Sequence, residues 1–234
     1  MLAATVGEPH VGQRVVEGGA PFARARVAVL MAHGRGGSPE DMLRLAEVLA
    51  LPDVAWLAPA AASGSWWPAS FLAPIGDNEP GLSSGLAALD RLTEQLDRDG
   101  FGPERVVLMG FSQGACLALE YAARSGRAFQ AVIGLSGGLV GTGEAAGLPS
   151  ERLYGHTPKQ FTYPAQPPGS QVLLGCHERD PHIPLARVQE SAAMFEKLGA
   201  EVQTQILAGA GHGVVDEELR AVRSLLNRGV RQML

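Results

Sequence analysis

Short apolar runs alternate along this chain with stretches whose apolar residues recur at helical spacing. Arg26–Ala32 is almost wholly apolar, as are Val54–Leu57, Arg105–Met109, Gln130–Leu135 and Gln171–Cys176 over most of their lengths, and Glu201–Leu207 reads as a further, more polar strand. Continuous rather than alternating apolar runs are the mark of strands buried on both faces, as in a parallel sheet. Helical stretches follow them: Pro39–Leu49, Ser83–Arg98, Ala115–Arg124, Ala186–Leu198 and Val214–Leu226. Ser38 is placed to cap the first, with Pro39 at the first helical position and Asp41 three residues on. The alternation predicts an α/β protein with a mostly parallel central sheet and helices on both faces. Val11–Glu17 reads as an edge strand.

Two segments break the rhythm. Ala58–Gly81 is rich in Ala, Pro and aromatics, and Gly137–Gly169 is rich in Gly and Pro. Long connections inside a compact domain commonly bind ligands. Strand–helix units on either side continue one pattern without an internal repeat, so residues 1–234 are expected to form a single domain with no large cap. Composition narrows the class further. With 46% hydrophobic and 18% charged residues and a net charge of −5, the chain suits a compact globule without a basic surface for nucleic acid. No apolar run approaches the ~18 residues of a membrane span, and Met1–His10 lacks the pattern of a signal peptide. The two cysteines, Cys116 and Cys176, read as small buried hydrophobes rather than a disulfide framework. A cytoplasmic location without stable membrane insertion is the expectation.

The chemistry is concentrated at Gly110-Phe111-Ser112-Gln113-Gly114, between a strand and a helix. G-x-S-x-G in that setting describes a nucleophile elbow, a strained turn that lifts the serine hydroxyl clear of the sheet. A serine hydroxyl needs a base to accept its proton and a third group to orient that base. Both occur downstream at strand ends, where a parallel sheet places its active site. His212 stands in a Gly-rich loop after the last strand, whereas His10 lies near the terminus, His33 precedes another Gly-rich loop, and His177 and His182 flank the acid. Among Glu178, Asp180 and Asp216, Asp180 is preferred because Asp216 falls in the first turn of the last helix, where the dipole alone explains it.

A tetrahedral oxyanion needs two preorganised N–H donors. Gln113, the residue after the nucleophile, supplies one backbone N–H, and Arg35 in His33-Gly34-Arg35-Gly36-Gly37 supplies the other, with Gly34 as alternative. Trp66, Trp67, Phe71 and Leu72 are candidates for an acyl or alcohol pocket, or equally for a cover over the core. Leu139, Leu148, Leu153, Tyr154, Phe161 and Tyr163 are candidates for its opposite wall.

These motifs, together with Asp180-Pro181-His182-Ile183-Pro184 and Gly211-His212, resemble in content and order the carboxylesterase/phospholipase branch of the α/β-hydrolases, which includes acyl-protein thioesterases. The resemblance runs from about Arg26 to the carboxyl terminus and implies a Ser112–Asp180–His212 triad with the Arg35 and Gln113 amides as oxyanion hole. It implies a serine carboxylesterase acting through an acyl-enzyme on small-molecule, short- to medium-chain esters, with no metal or cofactor, and a possible homodimer. Thioester or lysophospholipid hydrolysis at the same site is the alternative, followed by a receptor that retains the hydrolase fold. Pro68 stands after Trp67 where thioesterase members tend to have an acid, so Trp67–Phe71 is more similar to bacterial esterases.

Overall fold

The computed structural model describes residues 7–145, 157–165 and 169–232. Strand β1 (Val15–Gly19) leads into β2 (Val27–Ala32), helix α1 (Pro39–Leu49) and β3 (Val54–Pro59). Helix α2 (Gly81–Arg98), β4 (Val106–Phe111), α3 (Gln113–Ser125) and β5 (Ala131–Leu135) follow. The chain continues with β6 (Gln171–Arg179), α4 (Leu185–Lys197), β7 (Glu201–Ala210) and α5 (Asp216–Gln232). The strands form a seven-stranded sheet in the order β1-β3-β2-β4-β5-β6-β7. Only β1 is antiparallel, pairing Val15 with Pro59 and Gly19 with Ala55. This is the architecture of the α/β-hydrolase fold.

The two faces of the sheet explain the unbroken apolar runs. Val27, Val29 and Met31 point to one core with Met42, Ala46 and Leu49 of α1 and Val222, Leu225 and Leu226 of α5. Their neighbours Ala28 and Leu30 point to the other, with Leu82 and Leu89 of α2, Leu117 of α3 and Val188 and Phe195 of α4. Alternate residues of a strand face opposite sides, so a strand covered twice must be apolar throughout. At α1 the Ser38 hydroxyl accepts from the Asp41 amide and the Asp41 carboxylate accepts from the Ser38 amide, a reciprocal cap.

Three departures from expectation bear on the site. The edge strand starts at Val15 rather than Val11, because the preceding residues fold back and bury His10. Its imidazole binds the Trp66 carbonyl at 2.9 Å and the Ala62 amide at 3.0 Å, which ties this part of the chain to the following loop. Strands β6 and β7 run on to Arg179 and Ala210, with a register shift between His177 and Arg179. That shift falls just before Asp180, where a break in pairing re-aims the following side chains.

The described candidates for the opposite wall in the second irregular segment, Leu139, Phe161 and Tyr163, do not line the cavity beside Ser112. Leu139 is fully buried, and Phe161 and Tyr163 pack against the core. Leu148, Leu153 and Tyr154 lie outside the described residues. Buried charges on the helices hold the described part of this segment. Glu120 of α3 accepts from the Val140 amide at 2.9 Å, Tyr163 Oη at 2.9 Å and Lys159 Nζ at 3.1 Å, and pairs with Arg124 at 2.7 Å. Burial alone would push the Glu120 carboxyl up, but Lys159 and Arg124 hold it below its ordinary value. Arg187 of α4, equally buried, donates to the Leu139 and Gly141 carbonyls at 2.8 and 2.6 Å.

Candidate active site

At the end of β4 the chain turns so sharply that Ser112 adopts φ 54° and ψ −120°, a left-handed conformation that L-residues rarely hold without compensation. The flanking glycines show why the turn closes. A Cβ on Gly110 would lie 2.2 Å from the Gly114 carbonyl oxygen, and one on Gly114 would lie 2.0 Å from the Ala32 carbonyl oxygen. No side chain fits at either position. The turn is held on the sheet side by a hydrogen bond from the Ser112 amide to the Leu135 carbonyl at 2.9 Å.

The sheet order brings Ser112, Asp180 and His212 together from the ends of three strands. His212 Nε2 lies 2.9 Å from Ser112 Oγ, and His212 Nδ1 lies 2.8 Å from Asp180 Oδ2 and 3.0 Å from Oδ1. A carboxylate only accepts, so Nδ1 carries the proton and Nε2 of the neutral ring is free to accept from the serine. The His212 ring is flanked by Phe111, at a centroid distance of 5.2 Å, and by the edge of His182 at 4.8 Å. The Asp180 side chain is wholly buried. Burial pushes its pKa up, but the bonds from His212 and from the His182 and Ile183 amides, at 2.8 and 3.0 Å, outweigh this and hold it below the ordinary value.

The group opens onto a cavity of about 630 Å³ whose walls include Trp67, Phe71, Phe111, Cys116 and Ile183. Gly34, Arg35 and Gln113 border it on the side of Ser112. Among the described residues, neither the Arg35 nor the Gln113 backbone N–H has a protein acceptor, which leaves both available to an oxyanion. Of the four aromatic and aliphatic candidates, Trp67 and Phe71 line the cavity. Trp66 and Leu72 do not: both are fully buried in the core, and the Trp66 indole N–H donates to the His33 carbonyl at 2.9 Å. Both pack into the cluster that contains Leu82 and Leu89 of α2 and Leu117 of α3. Among the described residues, no group of three or more His, Cys, Asp or Glu side chains is arranged to hold a metal ion.

Side chains whose roles local sequence does not betray complete the frame. The Gln113 carboxamide accepts from the Trp66 amide at 2.9 Å and donates to the Trp67 carbonyl at 2.9 Å, tying the wall to the first turn of α3. The Arg35 guanidinium donates to the Pro68 and Ala69 carbonyls at 2.9 and 2.5 Å. His33, buried and neutral, links the Gly34 carbonyl at 2.8 Å to the Ala61 amide at 3.0 Å, bracing the Gly-rich loop.

Comparison with known proteins agrees with this architecture. Residues 13–229 match the profile of the Phospholipase/Carboxylesterase family. The chain belongs to that family of α/β-hydrolases. A phospholipase/carboxylesterase from Dyadobacter fermentans is 34% identical, superposes with a TM-score of 0.79, and covers 92% of this chain and 96% of its own. The acyl-protein thioesterase 1 of Gibberella zeae is 28% identical over 152 residues, 65% of this chain and 60% of that protein. The chain thus spans 60% and 52% of the length of two curated relatives it matches. Zea mays acyl-protein thioesterase 2 shares the fold, with a TM-score of 0.66 at 20% identity over 93% of this chain and 99% of its own. No helix among the described residues is long and apolar enough to cross a membrane.

Proposed function

We propose that this family member is a serine carboxylesterase acting on short- to medium-chain acyl esters. The observation that carries the reading is the unbroken chain from Ser112 Oγ through His212 to a buried Asp180, at 2.9 and 2.8 Å. Ser112 attacks the ester carbonyl as His212 Nε2 takes its proton, and Asp180 holds the imidazole in the required tautomer. The Gln113 and Arg35 amides stabilise the oxyanion, each such donor being worth about 10²–10³ in kcat. His212 then protonates the leaving alcohol, and afterwards activates water to release the acyl group. The cavity, apolar along Trp67, Phe71 and Ile183 and open to solvent, supports a small uncharged ester as substrate.

Thioester or lysophospholipid hydrolysis uses the same groups and is supported by the names of the relatives. The two buried free thiols suit a reducing, cytoplasmic setting. Turnover measured across p-nitrophenyl esters, acyl thioesters and lysophospholipids tests the reading. The proposal expects a maximum on short- to medium-chain esters and no multiple turnover in Ser112→Ala, whose fold is preserved. Activity rising steadily towards long acyl chains overturns the substrate class. Retention of a tenth of the activity in Ser112→Ala overturns the mechanism.

A further inference from the structure

Glu218 is a charged residue buried to 1% exposure in the first turn of α5, and no step described above uses it. Its Oε2 accepts from the Val215 amide at 3.0 Å, three residues after His212. Its Oε1 has no hydrogen-bond partner among the described residues. That oxygen fills a notch in β6: a Cβ on Gly175 would lie 2.2 Å from it. Leu173, Gly175 and His177 are alternate residues of one strand and share the face covered by α5. Two positions beyond the notch stands the His177 ring, whose Nδ1 is likewise buried without a partner. The edge of this ring faces the backbone next to His212, since a Cβ on Gly211 would lie 2.7 Å from His177 Nε2.

The loop bearing His212 therefore rests on two side chains. The His177 ring supports it immediately before the histidine, and the Glu218 carboxyl holds it three residues after. Both supports are anchored against β6, the strand that continues to Asp180. We infer that Glu218, seated in the Gly175 notch, is a positioning residue that fixes the His212 loop relative to Asp180 and Ser112. The inference rests on His212 being the base of the proposed mechanism. Burial pushes the Glu218 carboxyl above the ordinary range, and the negative charge of Asp180 adds to this. The carboxyl oxygen accepts the Val215 amide as an amide oxygen would, so glutamine is the conservative replacement.

A helix cap alone would affect stability and leave turnover per folded molecule unchanged. The deciding measurement is kcat and KM at 25 °C on sites titrated with a fluorophosphonate, for Glu218→Gln, Glu218→Met and Gly211→Ala. We expect Glu218→Met, which keeps volume and loses the acceptor, to lower kcat at least about tenfold with KM within about twofold. Glu218→Gln should restore kcat to within about threefold of the parent chain. Gly211→Ala, which lifts the loop off His177, should lower kcat in the same way with an unchanged circular dichroism spectrum, and it decides the matter if Glu218→Met does not fold. Parental kcat in Glu218→Met, equal damage in Gln and Met, or parental kcat in Gly211→Ala overturns the inference. If Ser112→Ala keeps its activity, the mechanism itself has failed. If Ser112→Ala is inactive and Glu218→Met is not impaired, only the positioning role has failed.

Discussion

Replacing Asp180 by asparagine changes one atom, and the surroundings dictate how the new side chain must sit. Asp180 Oδ1 accepts from two backbone amides, His182 at 2.8 Å and Ile183 at 3.0 Å, so the amide oxygen of an asparagine must take that place. Its NH₂ group then occupies the position of Oδ2, 2.8 Å from His212 Nδ1. Two donors cannot face each other, so the imidazole gives up its Nδ1 proton and carries one on Nε2 instead. Nε2 then points a hydrogen at Ser112 Oγ and accepts nothing. The serine keeps its place and loses its base. A wrong tautomer of this kind lowers kcat by about 10⁴ in serine hydrolases, which corresponds to roughly 5 kcal/mol of transition-state stabilisation. Because every amide at the site stays paired, stability should change by no more than about 1 kcal/mol, a shift of roughly 2–4 °C in Tm for a chain of this size. Stopped-flow and steady-state hydrolysis of p-nitrophenyl acetate by Asp180→Asn, beside thermal melts, separates the two effects. The double variant with Ser112→Ala should be no slower than Ser112→Ala alone. An Asp180→Asn enzyme that keeps more than a tenth of its kcat would refute the reasoning.

Gly114→Ala drives a Cβ to 2.0 Å from the Ala32 carbonyl; it should cost about 3 kcal/mol and lower Tm by roughly 6–12 °C, seen by differential scanning calorimetry. Glu120→Ala leaves Lys159 buried without its counter-ion and should cost about 3–5 kcal/mol in urea melts, part of it recovered in Glu120→Leu/Lys159→Met. His10 and His33 each accept a backbone amide on one ring nitrogen, and burial lowers both below the ordinary 6.5. The unfolded chain then binds protons that the folded one refuses, so their contribution is complete above about pH 6.5 and is lost as pH falls towards the folded values. Tm should therefore fall between about pH 7.5 and about pH 5.5, and less so in His10→Gln; a flat or rising profile contradicts the assignment.

The elbow and the two groups brought to it, Asp180 and His212, were legible in the sequence for a local reason. Gly110 and Gly114 are demanded by atoms within a few residues of the turn or on the adjacent β2, and the parallel order of strands dictates where Asp180 and His212 emerge. Residues whose roles depend on how loops lie on the core were not legible. Trp66 and Trp67 are neighbours of the same type and both are buried, yet only Trp67 also borders the cavity, and the Gln113 carboxamide binds the backbone of both. His10 is 74 residues from Ser84, whose hydroxyl accepts its amide, and no short pattern announces such a pairing. Glu120 with Arg124 one turn on reads as an ordinary exposed helix pair. It is buried because residues 137–145 and 157–165 fold over it, bringing Lys159 and Tyr163.

The Arg35 guanidinium has a consequence for how substrates are discriminated. Its bonds to the Pro68 and Ala69 carbonyls join the Gly-rich loop to the cavity wall, so displacement of the wall beside Trp67 is expected to pull on the Arg35 backbone. A bulky acyl group that pushes the wall outward also drags an oxyanion donor out of line. On the proposed mechanism such a substrate binds but turns over slowly. Size is then sensed at the transition state, and oversized esters should act as poor substrates with ordinary KM, competing with good ones instead of being shut out.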